Sequence, residues 1–231
     1  MDFLRTINEA TPLLLYGIRM TVLVSVVSIL IGILIGFFSC LMSISSFRIL
    51  RAISGLYIWL IRGTPMLVQA LIVYFGFPQL VQLIIPGFRL GPFSAAIITL
   101  SLNAGAYISE IFRGGIKAVD VGQVEAARSL GLSSARTMIK VILPQAFKIA
   151  IPSMVNQFII SIKDTSILSV IGLAELVNKA RVYVGASYQY FATYSLVALY
   201  YLVVISILMI LMKKVEKKLN YERKDNSKEF A

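Results

Sequence analysis

An aspartate directly follows a lysine at Lys163-Asp164, between an uncharged run of 14 residues, Ile149–Ile162, and a second one, Thr165–Ala174. Ionisable residues in such apolar surroundings are costly and face protein, a water-filled cavity or one another. Helical spacing puts Asn156 on the face of Lys163, and Gln157 on the face of Asp164, about 100° away. Two polar stripes then run side by side through an apolar helix. They suit a hydrophilic pocket wall, in which Asp164 holds an ammonium or guanidinium group, and equally ion pairs that join helices. Glu110 and Arg113 are three apart, which fits an intrahelical ion pair or else a gate or subunit contact. Arg62 precedes Gly63-Thr64-Pro65, where glycine relaxes the backbone and proline removes a helix donor. A bend beside a pathway and an interfacial helix end next to Trp59 both fit. The chain has no histidine and one cysteine, Cys40, set in an apolar run as a small buried hydrophobe. Thiol–metal sites, disulfide frameworks and histidine catalysis therefore have almost no material. No catalytic residue and no metal site is expected.

The elements that position these residues are membrane spans. The chain has 231 residues, 58% of them hydrophobic, with a mean hydropathy of +0.84; soluble domains are ~45–50% apolar. A helix needs roughly 20 apolar residues to cross the hydrocarbon core. Met20–Phe47, Gly63–Phe88, Leu90–Ser109 and Val182–Met212 are uncharged runs of that order. Spans are expected near 17–43, 56–77, 91–112, 150–172 and 192–212, giving an all-α integral membrane protein with five transmembrane helices in a single domain, 1–231. There are 22 Lys+Arg against 11 Asp+Glu. The bases cluster between apolar runs rather than over a soluble face, so they report topology and not nucleic-acid binding. Arg48, Arg51, the loop 113–148 and the tail from Lys213 carry most of them. The positive-inside rule then places the N-terminus outside and the C-terminus in the cytoplasm. The first residues, MDFLRTINEATP, are a poor match to a cleavable signal peptide.

One polar loop, 113–148, interrupts the apolar pattern. Val121–Leu130 is rich in helix formers, Gly131 suits a left-handed turn after it, Ser133 or Ser134 can cap a second short helix, and Pro144 suits the start of the fourth span. Ala126 and Ala127 let such a helix lie close inside a partner's cleft, with Glu125 and Arg128 offering charge-assisted bonds at its rim. A helix lying on the lipid surface, or a solvated loop, has the same spacing.

Several segments together identify a resemblance. R-G-T-P at Arg62–Pro65, A-Y-I-S-E-I-F-R-G-G-I at Ala106–Ile116, G-Q-V-E-A-A-R-S-L-G at Gly122–Gly131, I-L-P-Q-A at Ile142–Ala146 and I-K-D-T-S-I at Ile162–Ile167 stand in the order found in the polar-amino-acid family of ABC-importer permeases. Leu14, Gly17 and Thr21 extend it toward the N-terminus. The chain resembles that family from about residue 12 to residue 212. The resemblance implies a type I permease fold with a cytoplasmic coupling helix, on which an ABC ATPase subunit docks through Glu125, Ala126, Ala127, Arg128 and Gly131. It implies a substrate site in the membrane lined by Asn103 and Asp164, with Thr165 and Ser166 as secondary contacts through their hydroxyls. It further implies an extracytoplasmic amino-acid-binding protein, a second permease copy or homologue, and a place in the bacterial plasma membrane. No cofactor is expected in this chain: it has no G-x-x-x-x-G-K-[ST] phosphate loop, so ATP-Mg would sit on the partner ATPase. The implied activity is amino-acid import by alternating access, with the substrate open among cationic amino acids, glutamine and cystine.

Two other classes compete. A secondary transporter or channel needs no ATPase; inverted halves would favour it, and five spans without a visible repeat do not. An intramembrane enzyme needs a catalytic set, and Asp164 and Glu110 alone do not make one. The aromatics Tyr183, Tyr188, Tyr190, Phe191 and Tyr194 read as an outer belt or as a surface for the binding protein.

Overall fold

In lipid, a backbone must satisfy its own amides, and a long uncharged segment does so as a helix. The computed structural model describes residues 3–228; the expected domain bounds, 1–231, include residues 1, 2 and 229–231, which lie outside the described residues. Helices run α1 (Phe3–Ser43), α2 (Arg48–Gly63), α3 (Met66–Leu71), α4 (Phe77–Val81), α5 (Pro92–Lys117), α6 (Val121–Ser129), α7 (Ser134–Thr137), α8 (Leu143–Asp164), α9 (Leu176–Ser187) and α10 (Tyr190–Lys228). A π turn, Ile72–Gly76, joins α3 to α4; another, Met138–Ile142, joins α7 to α8; a 3-10 segment, Thr165–Ile171, continues α8. The described residues contain no strand.

Four stretches are long and apolar enough to cross a membrane: Phe3–Ser43, Pro92–Lys117, Ser134–Ile171 and Tyr190–Lys214. The expected spans 17–43 and 192–212 fall within the first and last of them, and 91–112 and 150–172 overrun the other two by one residue each. The second, 56–77, is not one straight helix. Arg48–Gly63 and Met66–Val81 meet at an elbow of 106°. Thr64 and Pro65 are both extended, with ψ of 146° and 137°. Proline lacks the donor that would carry a helix through, and its ring pushes the preceding residue out of the helical region.

Helices in lipid gain little from hydrophobic burial against one another and associate by close packing of small residues. α1 presents Gly32 and Gly36, four apart, to α5. A methyl group on Gly36 would lie 2.7 Å from Ile108 Cγ2 and 2.8 Å from the carbonyl oxygen of Gly105. Gly105 leaves equally little room: its Cβ would lie 2.8 Å from both Ile35 Cγ2 and the Tyr57 hydroxyl. Buried hydroxyls pin α2 across this seam. Ser54 donates to the carbonyl of Ser39 at 2.8 Å, Ser109 donates to Ser39 Oγ at 3.2 Å, and Tyr57 donates to the carbonyl of Leu102 at 2.7 Å. Cys40 is buried beside them. Phe112 then stacks edge-on against Phe37 and Phe147, at 5.7 and 4.9 Å, and ties α5 to α1 and α8. At the other end of α1, Gly17 lies against the backbone of Leu176. There the fully buried Glu175 accepts the amides of Val177 and Asn178 and so caps α9.

The seam is testable with one substitution at two glycines. Gly36→Ala is expected to destabilise the protein by about 1–3 kcal/mol, as overpacking does. Gly55, which has nothing within 4 Å of its Cβ position, is expected to stabilise it by up to about 1 kcal/mol as Gly55→Ala, through helix propensity. Thermal unfolding in detergent checks the pair; the same sign at both positions would contradict the packing argument.

Candidate functional site

The expected functional residues lie in two places: at the elbow with α5 and the 3-10 segment that follows α8, and in the loop between α5 and α8. At the elbow the chain leaves carbonyls unused where proline ends the helix. Gln69, on the first turn of α3, collects them. Its Nε2 donates to the carbonyls of Ile61 and Thr64 at 2.7 and 3.0 Å and to Thr64 Oγ1 at 3.0 Å. Its Oε1 accepts from Asn103 Nδ2 of α5 at 3.3 Å. Asn103 is therefore buried and held by Gln69, a residue whose sequence context, an apolar run, gave no sign of this role. One turn away, Met66 and Ala70 of α3, Leu100 of α5 and Leu168 of the 3-10 segment share a single buried cluster. α3, α5 and the 3-10 segment that begins one residue after Asp164 thus pack on one another in this cluster.

The stripes expected on α8 are separated as the spacing requires. Asn156 and Lys163 are exposed, Gln157 is buried and Asp164 is half-buried. The two hydroxyls beside Asp164 are occupied locally. Thr165 donates to the carbonyl of Ile162 and Ser166 to that of Lys163, both at 2.7 Å. These bonds accompany the tightening from α to 3-10 geometry that begins at Thr165. Thr165 is wholly buried and turned toward the Tyr201 hydroxyl of α10, while Ser166 is half-buried. Glu110 pairs with Arg113 in its own helix, and also with Arg62 across the elbow at 3.3 Å. The second contact has no counterpart in local spacing.

The loop is a helix, a glycine turn and a second short helix. Asp120 caps α6 by accepting the amide of Gly122 at 2.7 Å, and an aspartate just before a run of helix formers is the local signal for such a cap. Gly131 has φ +82°, and the amide of Leu132 reaches back to the carbonyl of Ala127 at 3.2 Å, closing a Schellman-type turn. Ser133 accepts the amide of Arg136 and caps α7, and Pro144 opens α8. Glu125, Ala126, Arg128 and Gly131 face outward, as do the apolar Val121, Leu130 and Ile139, which are 68%, 83% and 64% exposed. Ala127 does not: it is buried against its own chain, so a close approach along this helix falls to Ala126. Arg128 spends one guanidinium nitrogen on the carbonyl of Leu132 at 2.9 Å. Exposed apolar side chains thus stand among the polar residues of this loop.

Residues 28–221 match the family described as binding-protein-dependent transport system inner membrane component. The arginine transport system permease protein ArtQ of Bacillus subtilis is 42% identical over 219 residues, 95% of this chain and 97% of that protein. The glutamine transport system permease protein GlnP of Escherichia coli K12 is 36% identical over 210 residues, 91% and 94% of the two chains. Among solved structures, a chain of an amino acid ABC transporter with histidines superposes with a TM-score of 0.88 at 39% identity, covering 94% of this chain and 99% of that one. A chain of the inward-facing MetNI methionine ABC transporter shares the fold, with a TM-score of 0.71 at 18% identity.

The elbow depends on one side chain. Gln69→Leu removes three donated bonds and leaves the Asn103 amide without its acceptor. It is expected to cost about 1–3 kcal/mol, the range for an unsatisfied buried polar group. Thermal unfolding checks this, and a neutral result would remove Gln69 as the organiser of the bend.

Proposed function

The chain belongs to the family of binding-protein-dependent transport system inner membrane components, and on that premise we propose that it is the transmembrane subunit of an ATP-driven amino-acid importer. The observation that carries the reading is the outward-turned loop of α6 and α7 in a chain otherwise built of apolar helices. Glu125, Ala126, Arg128 and Gly131, flanked by Val121 and Leu130, form a compact surface for an ABC ATPase subunit, with Ala127 anchoring α6 from behind. ATP and its magnesium act on that partner. Two copies of this chain, or this chain and a homologue, complete the pathway, since one elbowed set of spans encloses little by itself. An extracytoplasmic binding protein delivers the solute in a bacterial plasma membrane. The N-terminus lies outside and the C-terminus inside, which brings the basic loop to the cytoplasm.

Within the membrane, Asn103 and Asp164 line the solute site. Asp164 is an acceptor for a cationic or amide-bearing side chain, and Asn103, locked by Gln69, supplies a fixed polar group. Ser166 stands at its edge. Thr165 serves from behind, holding the α-to-3-10 transition that aims Asp164. The ArtQ and GlnP relatives are named for arginine and glutamine, and both side chains offer the N–H donors that a carboxylate accepts.

The experiment is replacement of Glu125–Gly131 by a flexible Gly/Ser linker. The altered chain is expected to insert in the membrane but to lose both co-purification of the ATPase and uptake driven by ATP. Uptake that continues without any bound ATPase would overturn the importer reading in favour of a secondary transporter.

A further inference from the structure

Asn103, Tyr107 and Glu110 stand at four- and seven-residue spacing on one face of α5, while Ala104, Ile108 and Phe112 are buried in the packed seam. The elbow sets Arg62 against this face. Its guanidinium carbon lies 5.3 Å from the centre of the Tyr107 ring, and its Nη1 lies 3.3 Å from Glu110 Oε2. Arg113 Nη2 falls on the same Oε2. The contact of each arginine is thus to Oε2 rather than Oε1. Two guanidinium groups against one carboxylate leave the cluster with one surplus positive charge. A purely structural pair would favour the parallel two-bond geometry that matches a guanidinium edge to both carboxylate oxygens. Here Arg62 gives one nitrogen at a long distance, and Glu110 gives one oxygen twice. The side chains of Arg62, Glu110 and Arg113 are 42%, 25% and 41% exposed, so the cluster is open on one side. Its position is nevertheless fixed, because Gln69 binds the carbonyl of Ile61, the residue before Arg62, and also holds Asn103.

We propose that Arg62 and Glu110 form a second binding station for the transported amino acid, with Arg62 taking its α-carboxylate and Glu110 Oε1 its α-ammonium. The proposal rests on the importer reading and adds to it. Seven residues of α5 separate Asn103 from Glu110, about 10 Å along the helix toward the coupling loop. A solute leaving the level of Asn103 and Asp164 on that side meets this cluster next. The surplus charge matches the carboxylate, and Oε1, the oxygen away from the two arginine contacts, matches the ammonium. Both groups are common to every amino acid. The station thus reads the backbone of the solute, whereas Asp164 and Asn103 read its side chain.

The test uses the permease with its ATPase in lipid nanodiscs, without binding protein, and titrates L-arginine against L-argininamide and L-glutamine against L-glutaminamide by calorimetry. The wild type is expected to prefer an acid over its amide by about tenfold or more, the measure of one charge-assisted contact. Arg62→Gln is expected to abolish that preference, and Arg62→Lys, which keeps the charge without the fork, to reduce it. Asp164→Asn is expected to weaken an acid and its amide alike and leave their ratio unchanged. A ratio unaffected by both Arg62 variants, a wild type without acid preference, or no binding of any probe overturns the station. Binding-protein-dependent uptake by the wild type is measured alongside; its absence would count against the importer itself, and its presence with an unchanged ratio against the station alone.

Discussion

The contact of Gly32 and Gly36 with Gly105 and Ile108 is what the remaining structure depends on. Between helices in lipid the hydrophobic effect supplies little, so dispersion and hydrogen bonding must hold the bundle, and both fall away steeply with distance. With no side chain at three positions, the α1 and α5 backbones approach to a separation at which even a methyl group would collide. Only at that separation do Ser39, Ser54 and Ser109 reach one another across three helices. Tyr57 reaches the Leu102 carbonyl by the same close approach. Polar groups that are costly alone in a bilayer thus become specific fasteners, each satisfied by a partner on another helix.

That seam has a directional consequence. α5 spends one face on α1 and turns a second face, Asn103, Tyr107 and Glu110, toward the elbow. The elbow exists because Thr64 and Pro65 cannot be helical, and it is stable because Gln69 recovers the carbonyls that proline strands. A single glutamine therefore couples a backbone break to the polar face of α5. Glu175 plays the corresponding part at the far end of α1. Its carboxylate is fully buried but receives two backbone amides and the Tyr201 hydroxyl at 3.3 Å, so the cost of burying it is met by the cap it provides.

Much of this was legible in the residues. Uncharged runs located four of the spans because crossing a bilayer is a constraint on length and composition alone. Gly131 and Ser133 declared their turns because a left-handed residue and an N-cap are local demands. The second span misled because hydropathy is blind to direction: apolar residues of α2 and α3 lie on both sides of the break, and Gly63 and Pro65 marked a bend without giving its angle. Periodicity read the Glu110–Arg113 pair but not the Arg62–Glu110 contact, which joins residues 48 positions apart through a bend no local rule describes. Ala127 was assigned outward beside Ala126, although neighbours on a helix lie about 100° apart and one of them had to turn inward. Gln69 was lost in an apolar run, since a residue that satisfies a break is found only when the geometry of the break is known.

The same geometry explains how a loop outside the bilayer can act on a site within it. Ser134–Ile171 is a nearly continuous helical path, interrupted only where it widens to a π turn at Met138–Ile142 and narrows to 3-10 at Thr165. The path begins at the Gly131 turn that ends α6 and passes Asp164 on its way. Close to its start it bears on α5 at Gly115, where a methyl group would come within 2.7 Å of the Ala146 carbonyl oxygen. A tight contact of that kind resists compression and serves as a fulcrum. Under the importer reading, a force on α6 turns α8 about that point, and Asp164, 18 residues and roughly 27 Å along the helical path from Ala146, moves against an α5 that the glycine seam holds still. Asn103 belongs to α5 and Asp164 to α8, so the two walls of the proposed solute site lie on opposite sides of that pivot. Docking at Leu130 and exposure of the site are then two ends of one lever, and the residues that make the fulcrum are small because only small residues let the two helices touch.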